Sequence, residues 1–281
     1  MKLVRWGEPG MERPGMLDMD GQVRDLSSVV PDIAGEVLSD AGRARLAGLA
    51  REDLPVVPAG ARLGPCVGRV GKIVCIGLNY RDHAREAGLP EPKEPIIFLK
   101  AASAIVGPTD PVVVPRGAHK VDWEVELGVV MGKTARDVAA DQALSHVAGY
   151  CIVNDVSERA WQMERGGQWD KGKSADTFAP LGPWLVTSDE VADPQKLALQ
   201  LDVDGVRRQD GTTADMIFGV AQLIAYVSGF MSLHPGDIIA TGTPAGVGMG
   251  HQPAVYLRAG QAMRLGIEGL GEQRTPLVAA A

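Results

Sequence analysis

The chain has 281 residues, enough for one large domain or for one domain with a small attachment. It is 45% hydrophobic and 22% charged, an ordinary balance for a globular protein with a sizeable core. The formal charge is −7 and no basic block occurs, which argues against a nucleic-acid surface. An anionic substrate would then need local help from a metal ion or a buried lysine.

No apolar run reaches signal-peptide or membrane-span length, so a cytoplasmic protein without membrane contact is expected. Cys66, Cys75 and Cys151 are odd in number and form no C-x-x-C pair, which reads as buried, reduced thiols. With 35 glycines and 19 prolines, many turns and short strands are expected rather than a helical bundle.

Residues 1–65 read as a small N-terminal α+β unit, and 66–281 as the main body. The unit has a short strand at Lys2–Trp6, then a hairpin over 16–26 turned by Asp20-Gly21, then a helix capped by Ser39 or Asp40. Prolines and glycines between Pro55 and Pro65 mark a linker.

The main body opens with a buried strand over 72–78. A short helix follows, carrying Asn79 to Ala87 and closed by Gly88. His83 and Glu86 are three apart and so share a helical face. They read either as a carboxylate-steadied general base or as a surface ion pair. Ile96–Lys100 is a strand ending on a lysine.

The stretch Val121-Asp122-Trp123-Glu124-Val125-Glu126-Leu127 alternates as a strand does, which puts Glu124 and Glu126 on one face. Adjacent buried carboxylates need a shared proton or a cation. A second apolar strand, over 149–155, ends in Asp155. If the three acids converge, they form an oxygen-only site suited to Mg²⁺ or Mn²⁺; otherwise the strand presents a solvated acidic face.

Thr134–Val147 reads as an amphipathic helix. The glycine-rich stretch from Arg165 to Phe178 is too long for an idle connection, and Lys173 beside glycines is a candidate for carboxylate or enolate binding. Residues 199–207 form a hairpin turned at Asp204-Gly205, and Ala214–Leu233 reads as the longest helix. The loop Thr241-Gly242-Thr243-Pro244-Ala245-Gly246-Val247-Gly248 reads as backbone amides and hydroxyls offered to an oxyanion, or as a tight turn. Two strands are expected in the tail, at 255–257 and 262–267.

Five segments occur together in this order: Gly77–His83, Asp122–Leu127, Asn154–Ser157, Gly172–Phe178 and Thr241–Gly248. In order and rough spacing they resemble the fumarylacetoacetate hydrolase family over roughly residues 70–270. The resemblance implies an α+β, mostly β fold: a mixed β-sandwich or roll with flanking helices and a small N-terminal domain. It implies that Glu124, Glu126 and Asp155 bind Mg²⁺ or Mn²⁺, with Ca²⁺ as a further option. His83 and Glu86 become the dyad on a lid helix, and Lys173 the lysine meeting a bound oxo-acid. Lys100, Arg159, Gln162 and Thr241 resemble substrate-contacting positions. Where many members have Ser-x-Arg-Asp, this chain has Ser157-Glu158-Arg159-Ala160, which leaves the partner of Arg159 open.

The run from Arg165 to Lys173 is similar to members that cleave 2,4-diketo-3-deoxy-fuconate or -rhamnonate. The implied reaction is hydrolysis of the C3–C4 bond, giving pyruvate and a second acid such as lactate. Oxaloacetate decarboxylation and keto-acid dehydration or isomerisation are the alternatives. A homodimer or dimer of dimers is expected, with a small-molecule 2,4-diketo acid as substrate.

Overall fold

Two apolar strands, Val125–Met131 and Val147–Asn154, form the centre of the fold, and every residue in both is buried. Both faces are covered, so the alternation in the sequence does not mark a solvent side. The structure is a computed structural model that describes all 281 residues.

The two strands pair antiparallel inside a ten-stranded mixed sheet. On one side follow Ile238–Ala240, Ile73–Gly77 and Ile96–Lys100; on the other Ala179–Thr187, Lys2–Trp6, Arg13–Leu17 and Val23–Asp25. The short strand Ile105–Val106 pairs with Ala179–Thr187. A second sheet of five strands has the order Val206–Thr212, Ala198–Val203, Ala262–Ile267, Gly271–Ala279 and Val112–Val114. It packs against the central strands of the larger sheet. Gln273 ties the two together, its buried side-chain amide donating to the carbonyls of Ile152, Pro180 and Gly182. The fold is thus α+β with β predominant, as expected, and short helices flank the sheets.

The N-terminal segment 1–65 supplies three strands to the edge of the main sheet, because Lys2 and Leu3 pair with Val186 and Leu185. Leu3, Met16, Leu26 and Leu38 belong to the same apolar core as the central strands. Both hairpins are present. Gly21 turns the first with φ 78°, and Asp204 and Gly205, both at positive φ, turn the second as a type I′ pair. Ser39 caps the helix Asp40–Ala47 by accepting from the Gly42 amide. The three cysteines are buried and unpaired. No helix is long and apolar enough to cross a membrane.

Four local expectations fail, each to tertiary pairing. The helix expected over Thr134–Val147 is only Ala140–Ala143 with a 3₁₀ turn, Leu144–His146. Its first half is drawn out of helix because Ala135 pairs with Leu233, the chain bends at Asp137 with φ 53°, and the Asp137 and Val138 amides bond Ser228. The helix expected over Ala214–Leu233 is confined to Val220–Ser228. Ahead of it, Tyr80 pairs with Met216, and Asn79 holds the amides of Ile217 and Phe218. In the tail, 255–257 makes only an isolated bridge through Leu257, whereas Gly271–Ala279 forms a strand that the sequence reading missed. The acidic strand is interrupted at Trp123 and Glu124, between Val121–Asp122 and Val125–Met131.

Candidate active site and metal centre

Register assembles the acidic cluster. Glu126 faces Val153 and Val125 faces Asn154 across the central pair, so the next residue, Asp155, falls beside Glu124. The Asp155 amide donates to the Glu124 carbonyl at 2.9 Å. All three acids are buried, and one carboxylate oxygen from each lies within 4.8 Å of the others. The sequence reading that they converge therefore holds geometrically, although Glu124 sits in the strand's interruption.

Three cations surround the acids. Lys173, on the short helix Asp170–Lys173, donates to Glu124 Oε2 and Asp155 Oδ2, both at 2.8 Å. That helix is anchored to the strand Ile96–Lys100: the Leu99 amide donates to Asp170 and the Ala101 amide to Ser174. Arg159 donates to Glu124 Oε1 at 2.7 Å, to Asp122 Oδ2 at 2.8 Å and to Gln162 Oε1 at 3.0 Å. Asp122 answers the question of the arginine's partner. Lys100 points into the core, where it donates to Asp155 Oδ1 at 2.6 Å and to the Val156 and Lys173 carbonyls. It holds Asp155 in place and does not line the cavity.

Electrostatics separates the acids. Burial raises the Glu124 carboxyl, but Lys173 and Arg159 outweigh it and hold it well below the usual range. Burial pushes Glu126 far above that range, and the charges of Asp155 and Glu124 add to the effect. No cation bonds its side chain; its one hydrogen-bond donor is the Gly242 amide at 2.9 Å. Lys173 is raised: burial works against it, but Asp155 and Glu124 overcome that cost.

Once Glu126 gives up its proton, as a metal ligand must, the buried side chains Asp122, Glu124, Glu126 and Asp155 against Lys100, Arg159 and Lys173 carry one net negative charge. A divalent ion would turn that to one positive charge, a match for a substrate carboxylate. An oxygen-only donor set with one carboxylate lacking a cationic partner fits a hard divalent ion. Glu124, Glu126 and Asp155 would hold it.

The dyad lies on the helix Arg81–Glu86. His83 Nδ1 is 3.1 Å from Glu86 Oε2, which leaves Nε2 for the cavity that His83 lines. Glu86 also accepts from the Gly246 amide at 2.9 Å, and Asp82 accepts from the Ala245 amide at 3.1 Å. The helix is thereby pinned over the site. Burial raises Glu86, but the bonds from His83 and Gly246 bring it below its ordinary value.

The glycine-threonine loop departs from the sequence reading. Thr241 gives both its amide and its hydroxyl to the Leu127 carbonyl. The Gly242, Ala245 and Gly246 amides serve Glu126, Asp82 and Glu86, and those of Gly248 and Met249 serve Asp122. The loop chiefly positions carboxylates, and of its amides only those of Thr243 and Val247 make no hydrogen bond within the chain; Thr241 does not line the cavity, whereas Thr243 does. Gln162 does line it, and its amide nitrogen makes no hydrogen bond within the chain.

The cavity between dyad and acids has a volume of about 590 Å³ including its open mouth, within the range of small-molecule sites. Beyond its polar end it is lined by Leu78, Leu89, Phe98, Met163, Trp169 and Met249. The sequence reading did not single out these side chains, nor Asp82 and Asp122. Asp122 stands directly before the acid pair, which was the available signal for it; the apolar lining comes from separate segments and had none.

Comparison with known proteins agrees with this geometry. Residues 72–278 match the family model described as fumarylacetoacetate (FAA) hydrolase C-terminal. A protein of Burkholderia multivorans that carries a hydrolase name is 65% identical over 274 residues, covering 97% of each chain. The solved structure of a fumarylacetoacetate hydrolase from Exiguobacterium antarcticum is 35% identical with a TM-score of 0.86, covering 100% of both chains. That of a probable 2-hydroxyhepta-2,4-diene-1,7-dioate isomerase from Mycobacterium abscessus is 32% identical with a TM-score of 0.85, again over 100% of both. The acid triad, the pinned dyad helix and these matches along nearly the whole chain lead to one conclusion: the chain belongs to the fumarylacetoacetate hydrolase family.

Proposed function

We propose that the protein is a metal-dependent hydrolase that cleaves the C3–C4 bond of a 2,4-diketo acid, releasing pyruvate and a second acid. The observation that carries the reading is the His83–Glu86 pair held across one cavity from the buried triad of Glu124, Glu126 and Asp155. The run from Arg165 to Lys173 supports a 2,4-diketo-3-deoxy-fuconate or -rhamnonate as substrate, with lactate as the second product. We take the ion to be Mg²⁺ or Mn²⁺ and the enzyme to be a cytoplasmic homodimer or dimer of dimers.

Bound at the triad, a divalent ion supplies a Lewis acid that polarises the 2-oxo group of the substrate. Lys173 spends two N–H bonds on Glu124 and Asp155 and keeps one for the substrate's head. His83 takes a proton from water through Nε2, and Glu86 steadies the resulting imidazolium. The hydroxide adds to C4, and the oxyanion receives the free Gln162 amide. The C3–C4 bond then breaks. Pyruvate leaves as its enolate, paired with the Lys173 ammonium, and takes at C3 the proton that His83 drew from water, which restores the neutral imidazole.

One observation favours a second reading. Six of the eight amides of the 241–249 loop are bound to Leu127 or to carboxylates, which leaves only those of Thr243 and Val247 for a tetrahedral oxyanion; decarboxylation of oxaloacetate, or dehydration or isomerisation of a keto acid, forms no such oxyanion. Product analysis separates the two. Purified protein with Mn²⁺ should release pyruvate and an equimolar second acid from 2,4-diketo acids, and chelation should stop it. Pyruvate from oxaloacetate alone, or isomerised substrate without cleavage, would replace the hydrolase reading.

A further inference from the structure

We propose that the far half of the cavity is an acyl-tail subsite selecting an uncharged, apolar tail, with Trp169 as its specificity-determining residue. The direction in which the tail points rests on the reading of the head group as a 2-oxo acid at the triad.

The two ends of the cavity differ in kind. Its cationic groups, Arg159 and Lys173, are committed to the acids at the polar end. No lysine or arginine lines the remainder, so a second carboxylate on a tail would lose its hydration with no partner. Hydroxyls beyond C5 fare little better, which suits the methyl end of a 6-deoxy sugar acid. Thr243 lines the cavity, but its hydroxyl donates to the Val125 carbonyl and accepts from Gln209. The Gln162 amide and the Trp169 indole N–H are left as the neutral side-chain donors, and the proposed chemistry uses the first.

The apolar wall is a built feature. Trp169 meets Phe98 edge to face with ring centroids 5.4 Å apart, and the Lys173 ammonium lies 5.0 Å from the Phe98 ring centre. This places the aromatic pair directly beside the polar head. Trp169 also leans on the backbone at Gly77, where a Cβ would sit 2.5 Å from its Cζ3. Glycine at 77 is what lets the indole stand where it does. At the mouth, Leu89, Met163 and Met249 expose 50%, 52% and 41% of their surface. An apolar tail would cover these side chains, which come from three separate segments.

The test compares 2-oxo acids of six carbons that cannot be hydrolysed: 2-oxohexanoate, 2-oxoadipate and 2-oxo-3-deoxygluconate. Binding to the full-length Mn²⁺-loaded protein is measured by calorimetry, with pyruvate as the head-group control. 2-Oxohexanoate should bind at least about tenfold more tightly than the other two, and each added buried methylene should strengthen binding about fourfold. Trp169→Ala, and Gly77→Ala, which displaces the indole, should shrink that preference while pyruvate binding persists. Equal or tighter binding of 2-oxoadipate would overturn the subsite, as would a preference unchanged in both variants. Binding of 2-oxohexanoate without hydrolysis of any 2,4-diketo acid would refute the hydrolase reading alone and leave the subsite standing. Failure of every 2-oxo acid, pyruvate included, would refute the head-group reading and the subsite with it.

Discussion

Asp122 is the residue whose loss the structure prices most directly. It is fully buried and accepts four hydrogen bonds: Oδ1 from the Trp123 and Gly248 amides at 2.8 and 2.6 Å, Oδ2 from the Met249 amide at 3.0 Å and Arg159 Nε at 2.8 Å. In Asp122→Asn one oxygen becomes an NH₂ group. Whichever way the amide faces, two donors meet a donor. A buried donor left without an acceptor costs about 1–3 kcal/mol. Breaking a buried ion pair outright costs about 3–5 kcal/mol, but Arg159 keeps Glu124, so the smaller figure governs. The expected loss is about 2–4 kcal/mol, which lowers Tm by roughly 3–7 °C for a chain of this size. The turn that Asp122 holds follows Gly246, whose amide fixes Glu86. Misplacing the dyad should therefore lower kcat/KM roughly 10- to 100-fold. Thermal denaturation and steady-state kinetics on the Mn²⁺-loaded protein read both effects, and Asp122→Ala should lie below Asp122→Asn in each. An Asn variant with the parent's Tm and kcat/KM would refute the argument that this carboxylate links the arginine to the lid loop.

Three further outcomes follow from the site. His83→Ala should cut turnover by about 10²–10⁴-fold, with Mn²⁺ affinity by calorimetry nearly unchanged; an undiminished rate would remove the dyad from the mechanism. Glu126→Gln should abolish most of the Mn²⁺-induced rise in Tm, a stabilisation of about 2.7 kcal/mol for the parent protein at a hundredfold excess over Kd. A variant still stabilised to the same degree would place the ion elsewhere. Glu86 lies below its ordinary value in the folded protein, so its pin on the lid is present above about pH 4.5 and is lost as pH falls through the folded value. Amide exchange over residues 81–89, corrected for intrinsic rates, should rise at acid pH in the parent, while Glu86→Gln should be open throughout; equal protection in both would contradict the pin.

Much of the site could be read along the chain because its parts are local. The Glu-x-Glu spacing brings two carboxylates to one side of the chain even though Glu124 lies in the strand's interruption, the three-residue step puts His83 over Glu86, and Asp204-Gly205 selects its turn through backbone conformation alone. These need only a neighbour a few residues away, so sequence by itself determined them, and the order of the five motifs determined the family. Partners distant in sequence were decided by the tertiary structure. Asp155 joins the glutamates because antiparallel register carries it there, and Arg159 finds Asp122 across 37 residues. Lys100 reads as a strand-end lysine able to reach substrate, yet both its neighbouring carbonyls and Asp155 lie inward, and a buried ammonium goes where its charge is met. Thr241 and its loop read as an oxyanion hole, but all the amides except those of Thr243 and Val247 were claimed by Leu127 and by four carboxylates of the stretches 82–86 and 122–126. The two overlong helices failed in the same way, through strand-like pairing to Tyr80 and between Ala135 and Leu233. A periodic pattern states which residues prefer burial. Which backbone and which charge they are buried against depends on contacts between segments that no window of sequence contains.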